Sequence, residues 1–283
     1  MHKIKALILF LFLVFFIILL WWNIKYKVVA FHIVDKDNEY QYRVMTWNIC
    51  GAKIKNKGKQ IKIAELIIKQ DADFVQLNEF CLDSCFVIDS ILSAHYPFRN
   101  DARSRDQVGD VSYSIRPLLE SNKYRGIPNT IISKLNIDID SLCIIGCHLT
   151  GNNYEGPIEI DDTDSLRKVK TFWKRYRGAQ EKRNEHAHLL KISAIESLLP
   201  MIVMGDMNDF NCSAPMDSLN DAGMKNAWWE GGFGYGATYH EGWLRLRIDH
   251  IYYNDKLKLK DVKVVETDLS DHNILVADFE FAN

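Results

Sequence analysis

The hydrophobic positions form one long apolar segment at the start of the chain and many short runs after it. The 17 residues of Ala6–Trp22 include no charged side chain, and two lysines precede them. In a helix they would span about 26 Å, close to a bilayer hydrocarbon core of about 30 Å. We therefore predict a transmembrane signal-anchor over residues 1–24 and a tether over residues 25–40. A cleaved signal peptide and a buried core helix are the alternatives.

Beyond the tether, short apolar runs alternate with amphipathic segments. The runs predict strands at Arg43–Ile49, Ala72–Leu77, Ser141–Leu149, Met201–Met204, Ile248–Tyr253 and Ile274–Phe281, with weaker candidates at Val28–Val34, Ser112–Ile115 and Thr130–Ser133. Helical spacing predicts helices around Ile61–Ile68, at Asp89–Ala94 and over a long basic segment ending near Leu199, before Pro200. Strands and helices alternate in the first half and strands dominate the second, which predicts two packed sheets flanked by helices in one domain over residues 41–283.

The composition is that of a folded protein with a full core. Hydrophobic residues make up 47% and aromatic residues 12% of the chain, which excludes global disorder. The net charge of −2 excludes a protein that coats DNA through charge alone, although a catalytic nuclease does not need a basic surface.

The cysteines bear on compartment and on zinc. Lysines before the apolar segment favour a catalytic domain on the extracytoplasmic, periplasmic side of a membrane, where Cys81 and Cys85 could form a disulfide. Cys143 and Cys147 lie four residues apart in an apolar strand-like run, so they share a face and pack as small hydrophobes. A four-thiolate zinc site is therefore disfavoured.

The basic segment Arg167–Arg183 carries eight lysine or arginine residues against one acid, Glu181. It follows the loop after His148, so it could attract phosphate beside a site there. The alternative is an ordinary solvated helix face.

Polar and ionisable side chains lie where the predicted strands begin or end. A rigid sheet can hold such side chains in fixed positions. They are Asn48, Glu79, His148, Asp206, Asn208, Asp249, Asp271 and His272. Carboxylate and amide oxygens suit Mg²⁺, with Mn²⁺ or Ca²⁺ as alternatives, whereas no H-x-x-x-H pair indicates zinc. A cation that neutralises phosphate oxygens, beside a base that activates water, predicts metal-assisted hydrolysis of phosphate esters.

Six short motifs resemble, in order, those of the endonuclease/exonuclease/phosphatase superfamily, which includes DNase I and the neutral sphingomyelinases. They are Met45-Thr46-Trp47-Asn48, Gln76-Leu77-Asn78-Glu79, Cys147-His148-Leu149, Gly205-Asp206-Met207-Asn208, Arg247-Ile248-Asp249-His250 and Ser270-Asp271-His272. The resemblance implies a DNase I-like four-layer α/β sandwich, with two packed, mainly antiparallel sheets flanked by helices. It also implies a monomer with its active site at the sheet edges.

The resemblance implies the following metal ligands. Glu79 would bind the divalent metal, Asp271 would assist, and Asn48 would help to hold the metal or the phosphate.

The same resemblance implies the catalytic groups. Asp206 would orient or deprotonate the attacking water, and Asn208 would bind a phosphoryl oxygen. His272, held by Asp249, would donate to the phosphate or act as general acid or base, while His148 would contact the phosphate or the leaving group. The carboxylate that orients this histidine in DNase I-like members is not identified from the sequence.

The substrate stays open at this stage. A phosphodiesterase or endonuclease acting on nucleic acid is the leading hypothesis. A membrane-proximal phospholipid hydrolase of the sphingomyelinase type, or an inositol-phosphate phosphatase, is the alternative, and the predicted anchor favours it. The third hypothesis is a catalytically silent binding module. His148-Leu149-Thr150-Gly151 replaces the Tyr-x-Pro-Asn element of AP endonucleases, which disfavours that branch.

Overall fold

The computed structural model describes residues 2–26, 28–31, 40–101, 108–124, 126–137, 140–152 and 165–282. In its first part the elements are α1 (His2–Tyr26), β1 (Ala30–Phe31), β2 (Tyr42–Asn48), a 3₁₀ turn (Gly51–Lys53), α2 (Lys57–Ile68), β3 (Phe74–Phe80), α3 (Leu82–His95), β4 (Phe98–Asp101), β5 (Gly109–Ser114), β6 (Leu118–Lys123), β7 (Ile131–Ile137) and β8 (Asp140–His148). They continue with α4 (Ser165–Glu196), β9 (Met201–Asp206), α5 (Ala214–Asp221), β10 (Lys225–Asn226), α6 (Ala227–Gly231), β11 (Phe233–Gly234), β12 (Tyr239–Glu241), β13 (Leu244–Leu246), β14 (Asp249–Tyr253), β15 (Leu257–Val265) and β16 (Ile274–Phe281).

Two six-stranded sheets form the centre of the described fold. The first sheet has the order β15-β16-β2-β3-β5-β4, and the second sheet has the order β10-β14-β9-β8-β7-β6. Each contains one parallel pair, β2 with β3 and β8 with β9, and its other neighbours are antiparallel. The parallel pairs matter for the site because they bring the carboxyl ends of neighbouring strands to one edge.

Alternating side chains build four layers. Val44 of β2 and Ile144 of β8 belong to one core between the two sheets. Their neighbours point the other way: Met45 packs with residues of α2 and α3, and Ile145 packs with residues of α4 and α5. This period-2 pattern of two hydrophobic faces per strand is expected when a sheet is covered on both sides. The predicted four-layer α/β sandwich is confirmed.

The last strand, Ile274–Phe281, has the predicted limits, whereas β15 (Leu257–Val265) was not predicted. The lysines of β15 interrupt the run of apolar residues by which a strand is predicted. As the outer strand of the first sheet, β15 needs apolar side chains at fewer positions. The basic helix ends at Glu196, three residues before the predicted end.

The predictions for the N-terminal residues have different outcomes. The apolar segment is helical, as part of α1. Among the described residues, however, no helix is long and apolar enough to span a membrane, so the membrane anchor stays a prediction. The first candidate strand is present as Ala30–Phe31, which pairs with Phe233–Gly234, and residues 32–39 lie outside the described residues.

The cysteines are all described, and none of the six is in a disulfide bond. The pair considered from the sequence, Cys81 and Cys85, therefore remains as thiols, and the Cys85 Sγ donates to the carbonyl of Gly51 over 3.7 Å. Cys143 and Cys147 share the core beneath α4, as their spacing predicted.

Candidate active site

Three of the predicted site residues lie side by side on the second sheet. His148 is the last residue of β8 and is in register with Asp206, the last residue of the parallel strand β9. Asp249 begins β14, which runs antiparallel to β9, and it faces Asp206 from the other side. Three neighbouring strands thus present an imidazole and two carboxylates at a single edge.

The first sheet contributes from the same edge. Asn48 ends β2, and β16 runs antiparallel to it, so Asp271 and His272 come just before β16 begins. The Ser270 hydroxyl donates to the Asn48 carbonyl over 2.8 Å and fixes this segment against β2. Glu79 lies in a bulge of β3 with φ of 54°, a left-handed conformation that turns its side chain out of the regular alternation.

Asn48 connects the carboxylates of the two sheets. Its Nδ2 donates to Glu79 Oε1 over 3.1 Å and to Asp206 Oδ2 over 3.0 Å. His148 Nε2 lies 4.0 Å from the same Glu79 oxygen and 3.6 Å from the same Asp206 oxygen. The structure therefore gathers residues separated by more than a hundred positions into one cluster.

The end of β9, where Asp206 lies, depends on the glycine before it. Gly205 has φ of 143°, and a Cβ there would lie 1.8 Å from the Cys147 carbonyl oxygen. Asp206 Oδ1 accepts from the backbone N–H of Asn208 over 2.9 Å, and the Asn208 Nδ2 donates to the Leu149 carbonyl over 3.0 Å. Asn208 thus joins the loop after β9 to the loop that follows His148.

Asp249 and His272 form a buried pair. The His272 Nδ1 donates to Asp249 Oδ2 over 2.8 Å, and its Nε2 lies 3.8 Å from Asp206 Oδ2. Burial by itself would lower the pKa of His272, but the carboxylates of Asp249 and Asp206 outweigh it and raise the pKa to about 10. Burial raises the pKa of Asp249, against the opposing charge of His272. The ring is further held through its backbone, because Trp47 Nε1 donates to the His272 carbonyl over 2.9 Å.

The predicted metal ligands fit a hard cation unequally. Glu79 and Asp271 offer carboxylates whose side chains are 34% and 33% exposed, so both can reach an ion and its waters. Asn48 does not offer its oxygen: the Cys50 N–H donates to Oδ1 over 3.0 Å, which turns the amide nitrogen toward the carboxylates. An amide N–H cannot ligate a cation, so the structure does not support Asn48 as a metal ligand in this orientation. It fits instead a donor to a carboxylate or phosphate oxygen.

A second grouping of ligand atoms lies deeper. Asp206, Asp249 and His272 offer atoms within 4.8 Å of one another. Several of these atoms already have protein partners: His272 Nδ1 donates to Asp249 Oδ2 over 2.8 Å, and Asp206 Oδ1 accepts from the Asn208 N–H. Asp249 Oδ1 has no partner among the described residues. The chemistry of the three residues suits the handling of protons better than the coordination of an ion.

Sequence reasoning missed Asp110 and Asn78. Asn78 Nδ2 donates to Asp110 Oδ2 over 2.8 Å, and Asn78 Oδ1 accepts from the backbone of Asp206 over 3.0 Å. Asp110 is buried, its Oδ1 has no hydrogen-bond partner among the described residues, and the charge of His148 acts on it. It is therefore the candidate for the carboxylate that orients His148. The signal was an acid at the start of β5, but the predicted strand began two residues later, at Ser112.

The basic helix does not form the predicted phosphate-attracting wall along its whole length. Arg183 is fully buried and bonded to protein groups, so it cannot face a substrate. The side chains of residues 165–172 lie outside the described part, and Lys174 and Arg177 are exposed. The exposure of these two agrees with both alternatives, so both stay predictions, whereas neither alternative fits the buried Arg183.

The comparisons with known proteins agree with this fold. The family model described as the endonuclease/exonuclease/phosphatase family matches residues 45–272. No curated protein sequence matches the chain significantly. Similar solved structures include D. rerio TDP2 humanized by 14 mutations, with 15% identity, 84% of this chain and 98% of that chain covered, and a TM-score of 0.63. The catalytic domain of human Nocturnin, with a bound sulfate anion, has 19% identity, coverages of 85% and 93%, and a TM-score of 0.60.

A third similar structure is the endonuclease/exonuclease/phosphatase from Bacteroides vulgatus, with 17% identity, coverages of 85% and 99%, and a TM-score of 0.60. At such identities these structures show the shared fold. Fold and site together define a phosphoester-cleaving hydrolase. The chain belongs to the endonuclease/exonuclease/phosphatase family.

Proposed function

We propose that this protein is a divalent-metal-dependent phosphodiesterase that cleaves P–O bonds by in-line attack of water, with nucleic acid as its leading substrate class. The observation that carries the proposal is that Asp206 lies within hydrogen-bond or ion-pair distance of three residues, which are Asn48, His148 and His272. Asn48 and His148 also lie within such a distance of Glu79. Such a pocket has acceptors for the proton of water and donors for phosphate oxygens in one place.

In this proposal Glu79 and Asp271 hold the ion, with Mg²⁺ first and Mn²⁺ or Ca²⁺ as alternatives. When bound, the ion neutralises negative charge on the phosphate oxygens. Both residues are partly exposed carboxylates, and Mg²⁺ commonly binds through one or two of these while keeping several waters.

Asp206 is the group proposed to orient and deprotonate water. Its Oδ1 is fixed by the Asn208 N–H, so Oδ2 is the oxygen that faces Asn48, His148 and His272. Because Asp249 occupies Nδ1 of His272, only the Nε2 of that ring can donate to the phosphate or to the leaving oxygen.

His148 and Asn208 are proposed to bind the phosphoryl group from the second sheet. His148 Nε2 is close to both Glu79 and Asp206, so it can reach an oxygen placed between them. The Asn208 amide would have to share its donor between the Leu149 carbonyl and the substrate.

The proposal is tested by assaying the purified full chain with Mg²⁺ or with EDTA. The substrates are plasmid DNA, RNA, sphingomyelin, inositol phosphates and a chromogenic phosphodiester, and Asp206→Asn serves as the inactive control. Metal-dependent cleavage of DNA or RNA that the variant loses supports the proposal. A well-folded protein that turns over none of these substrates would support the silent binding module instead.

A membrane-proximal hydrolase of lipid or inositol phosphate headgroups is the second candidate. The helix α1 exposes large apolar side chains, among them Phe12 at 69% and Phe16 at 63%, and exposed apolar surface of this extent favours a membrane or protein contact. This candidate includes membrane attachment and an extracytoplasmic domain. In the same assay it predicts turnover confined to sphingomyelin or inositol phosphates.

A further inference from the structure

Two loops carry the phosphate-binding side of the site, and they are adjacent. Leu149–Asn152 follows His148, and Met207–Asn211 follows Asp206 and contains Asn208. One direct bond between them runs from Asn208 to the Leu149 carbonyl. A second connection comes from α4, through a residue that the proposed mechanism does not use.

Arg183 of α4 inserts between these loops. Its Nη1 donates to the Thr150 carbonyl over 2.8 Å and to Asn152 Oδ1 over 2.9 Å. Its Nε donates to Asp209 Oδ2 over 3.0 Å. The guanidinium therefore binds the loop after His148 with one nitrogen and the loop after Asp206 with another.

The partners of Arg183 are themselves fixed. The Arg183 and Asp209 side chains are 0% and 1% exposed, so the ion pair is removed from solvent. Asp209 Oδ1 accepts from the Phe210 N–H over 2.9 Å, and the Asp209 carbonyl accepts from His250 Nε2 over 2.9 Å. A buried charge pair with all these bonds has one geometry, because any displacement leaves a charge without a partner.

We infer that Arg183 is a positioning residue: it fixes the two loops against each other and so sets His148 and Asn208 for catalysis. The inference rests on the proposed function. Arg183 makes no contact with solvent and so cannot touch a substrate. It acts only through Thr150, Asn152 and Asp209.

Lysine cannot replace this arginine. The planar guanidinium reaches acceptors in fixed directions, and its bonds to Thr150, Asn152, Asp209 and Gln180 use donors on three nitrogens. An ammonium group keeps the charge beside Asp209 but has one nitrogen, so it cannot bridge both loops. The Arg183→Lys variant therefore keeps the positive charge beside Asp209 but loses the bridge between the two loops.

The test compares Arg183→Lys with Arg43→Lys in the full chain. Arg43 forms a largely buried pair with Asp278 through contacts of 2.6 and 2.7 Å, and it lies five residues before Asn48, at the opposite end of β2. Both variants are assayed on the chromogenic phosphodiester well below their melting temperatures. We expect Arg183→Lys to lower kcat roughly 10- to 100-fold with KM changed less than about threefold, while Arg43→Lys keeps kcat within about twofold.

Two results would overturn the inference. One is an Arg183→Lys enzyme with kcat within threefold of wild type. The other is an equal loss of kcat in both variants at equal loss of melting temperature, which would mean a purely structural effect. An inactive wild-type protein would instead contradict the proposed function, so the two failures are distinguishable.

A double-mutant cycle tests whether Arg183 affects kcat through the loop that carries Asn208. If Arg183 acts through the loop that carries Asn208, then Arg183→Lys lowers the kcat of Asn208→Ala by much less than it lowers that of wild type. Losses that multiply in the double variant would contradict that route. Circular dichroism of all four proteins confirms that each is folded.

Discussion

The deep half of the site, which is Asp206, Asp249 and His272, differs from the shallow half, which is Glu79, Asp271 and Lys53. Side chains of the deep half are at most 6% exposed and bind one another or the backbone. In the shallow half the side chains of Glu79 and Asp271 are about one-third exposed. The Lys53 side chain is 76% exposed, and its Nζ lies 3.7 Å from Asp271 Oδ2. Most polar atoms of the deep half thus have protein partners, although Asp249 Oδ1 has none among the described residues. The shallow half has carboxylates that a cation can still satisfy.

The largest expected effect is in the deep half. Asp206→Asn removes the proposed base but keeps the shape of the side chain, so we expect kcat to fall by roughly 10³- to 10⁴-fold with the fold intact. Added Mg²⁺ should not restore it, because Asp206 is not proposed as a ligand. Single-turnover assays over a range of Mg²⁺ concentrations measure this, and activity within tenfold of wild type would contradict the assigned role.

Glu79→Gln should behave differently, because Glu79 belongs to the shallow half. We expect a loss of about 10²-fold at low Mg²⁺ that higher Mg²⁺ partly reverses. A second readout does not need activity: an ion that binds only the folded state raises the melting temperature. Mg²⁺ should therefore raise the melting temperature of wild type and of Asp206→Asn more than that of Glu79→Gln. Equal shifts in all three proteins would remove Glu79 from the metal site.

The strand-end motifs of the two halves were predictable from the sequence, because they mark the ends of hydrophobic runs and because sheet geometry brings such ends together. Asp206 directly follows the apolar run Met201–Met204 and Gly205, and Ile274 starts the final strand two residues after His272. The alternation of strands and helices predicted two packed sheets flanked by helices, and the family resemblance implied the DNase I-like four-layer sandwich.

Other features depend on contacts that no local pattern contains. Arg183 lies in a run of basic residues that resembles a solvated helix face. Only the folded structure shows that Arg183 is buried and bonded to Thr150 and Asp209. The orientation of the Asn48 amide depends on the backbone N–H of Cys50. Asp110 looked like a polar loop residue, because its partners Gln76 and Asn78 belong to another strand.

Asp110 supplies a pH-dependent test next to the deep half. Burial raises the pKa of Asp110 to about 7, against the opposing charge of His148. Because the folded protein holds Asp110 protonated, the contribution of Asp110 to the free energy of unfolding is complete below the ordinary aspartate pKa of 3.8. It is lost as the pH rises through about 7. Asp110→Asn removes that dependence.

We therefore expect Asp110→Asn to gain stability relative to wild type between pH 5 and pH 8, by about 1–3 kcal/mol. Urea unfolding at the two pH values measures the difference. A difference that shrinks as the pH rises would contradict the sign. The same variant should lose roughly tenfold in activity if Asp110 orients His148.

The smallest expected effect concerns Lys53, the most exposed member of the shallow half. Its pair with Asp271 is solvent-exposed and 3.7 Å long, so Lys53→Ala should change the free energy of unfolding by less than about 0.5 kcal/mol. Removing a positive charge from beside a proposed ligand should also lower the Mg²⁺ concentration for half-maximal activity, by about two- to threefold at low salt. Lys62→Ala, an exposed lysine on α2, is the matched control. A Lys53→Ala enzyme that needs more Mg²⁺ than the control would mean that Lys53 serves the substrate rather than competing with the ion, and the shallow half would then be a phosphate site as much as a metal site.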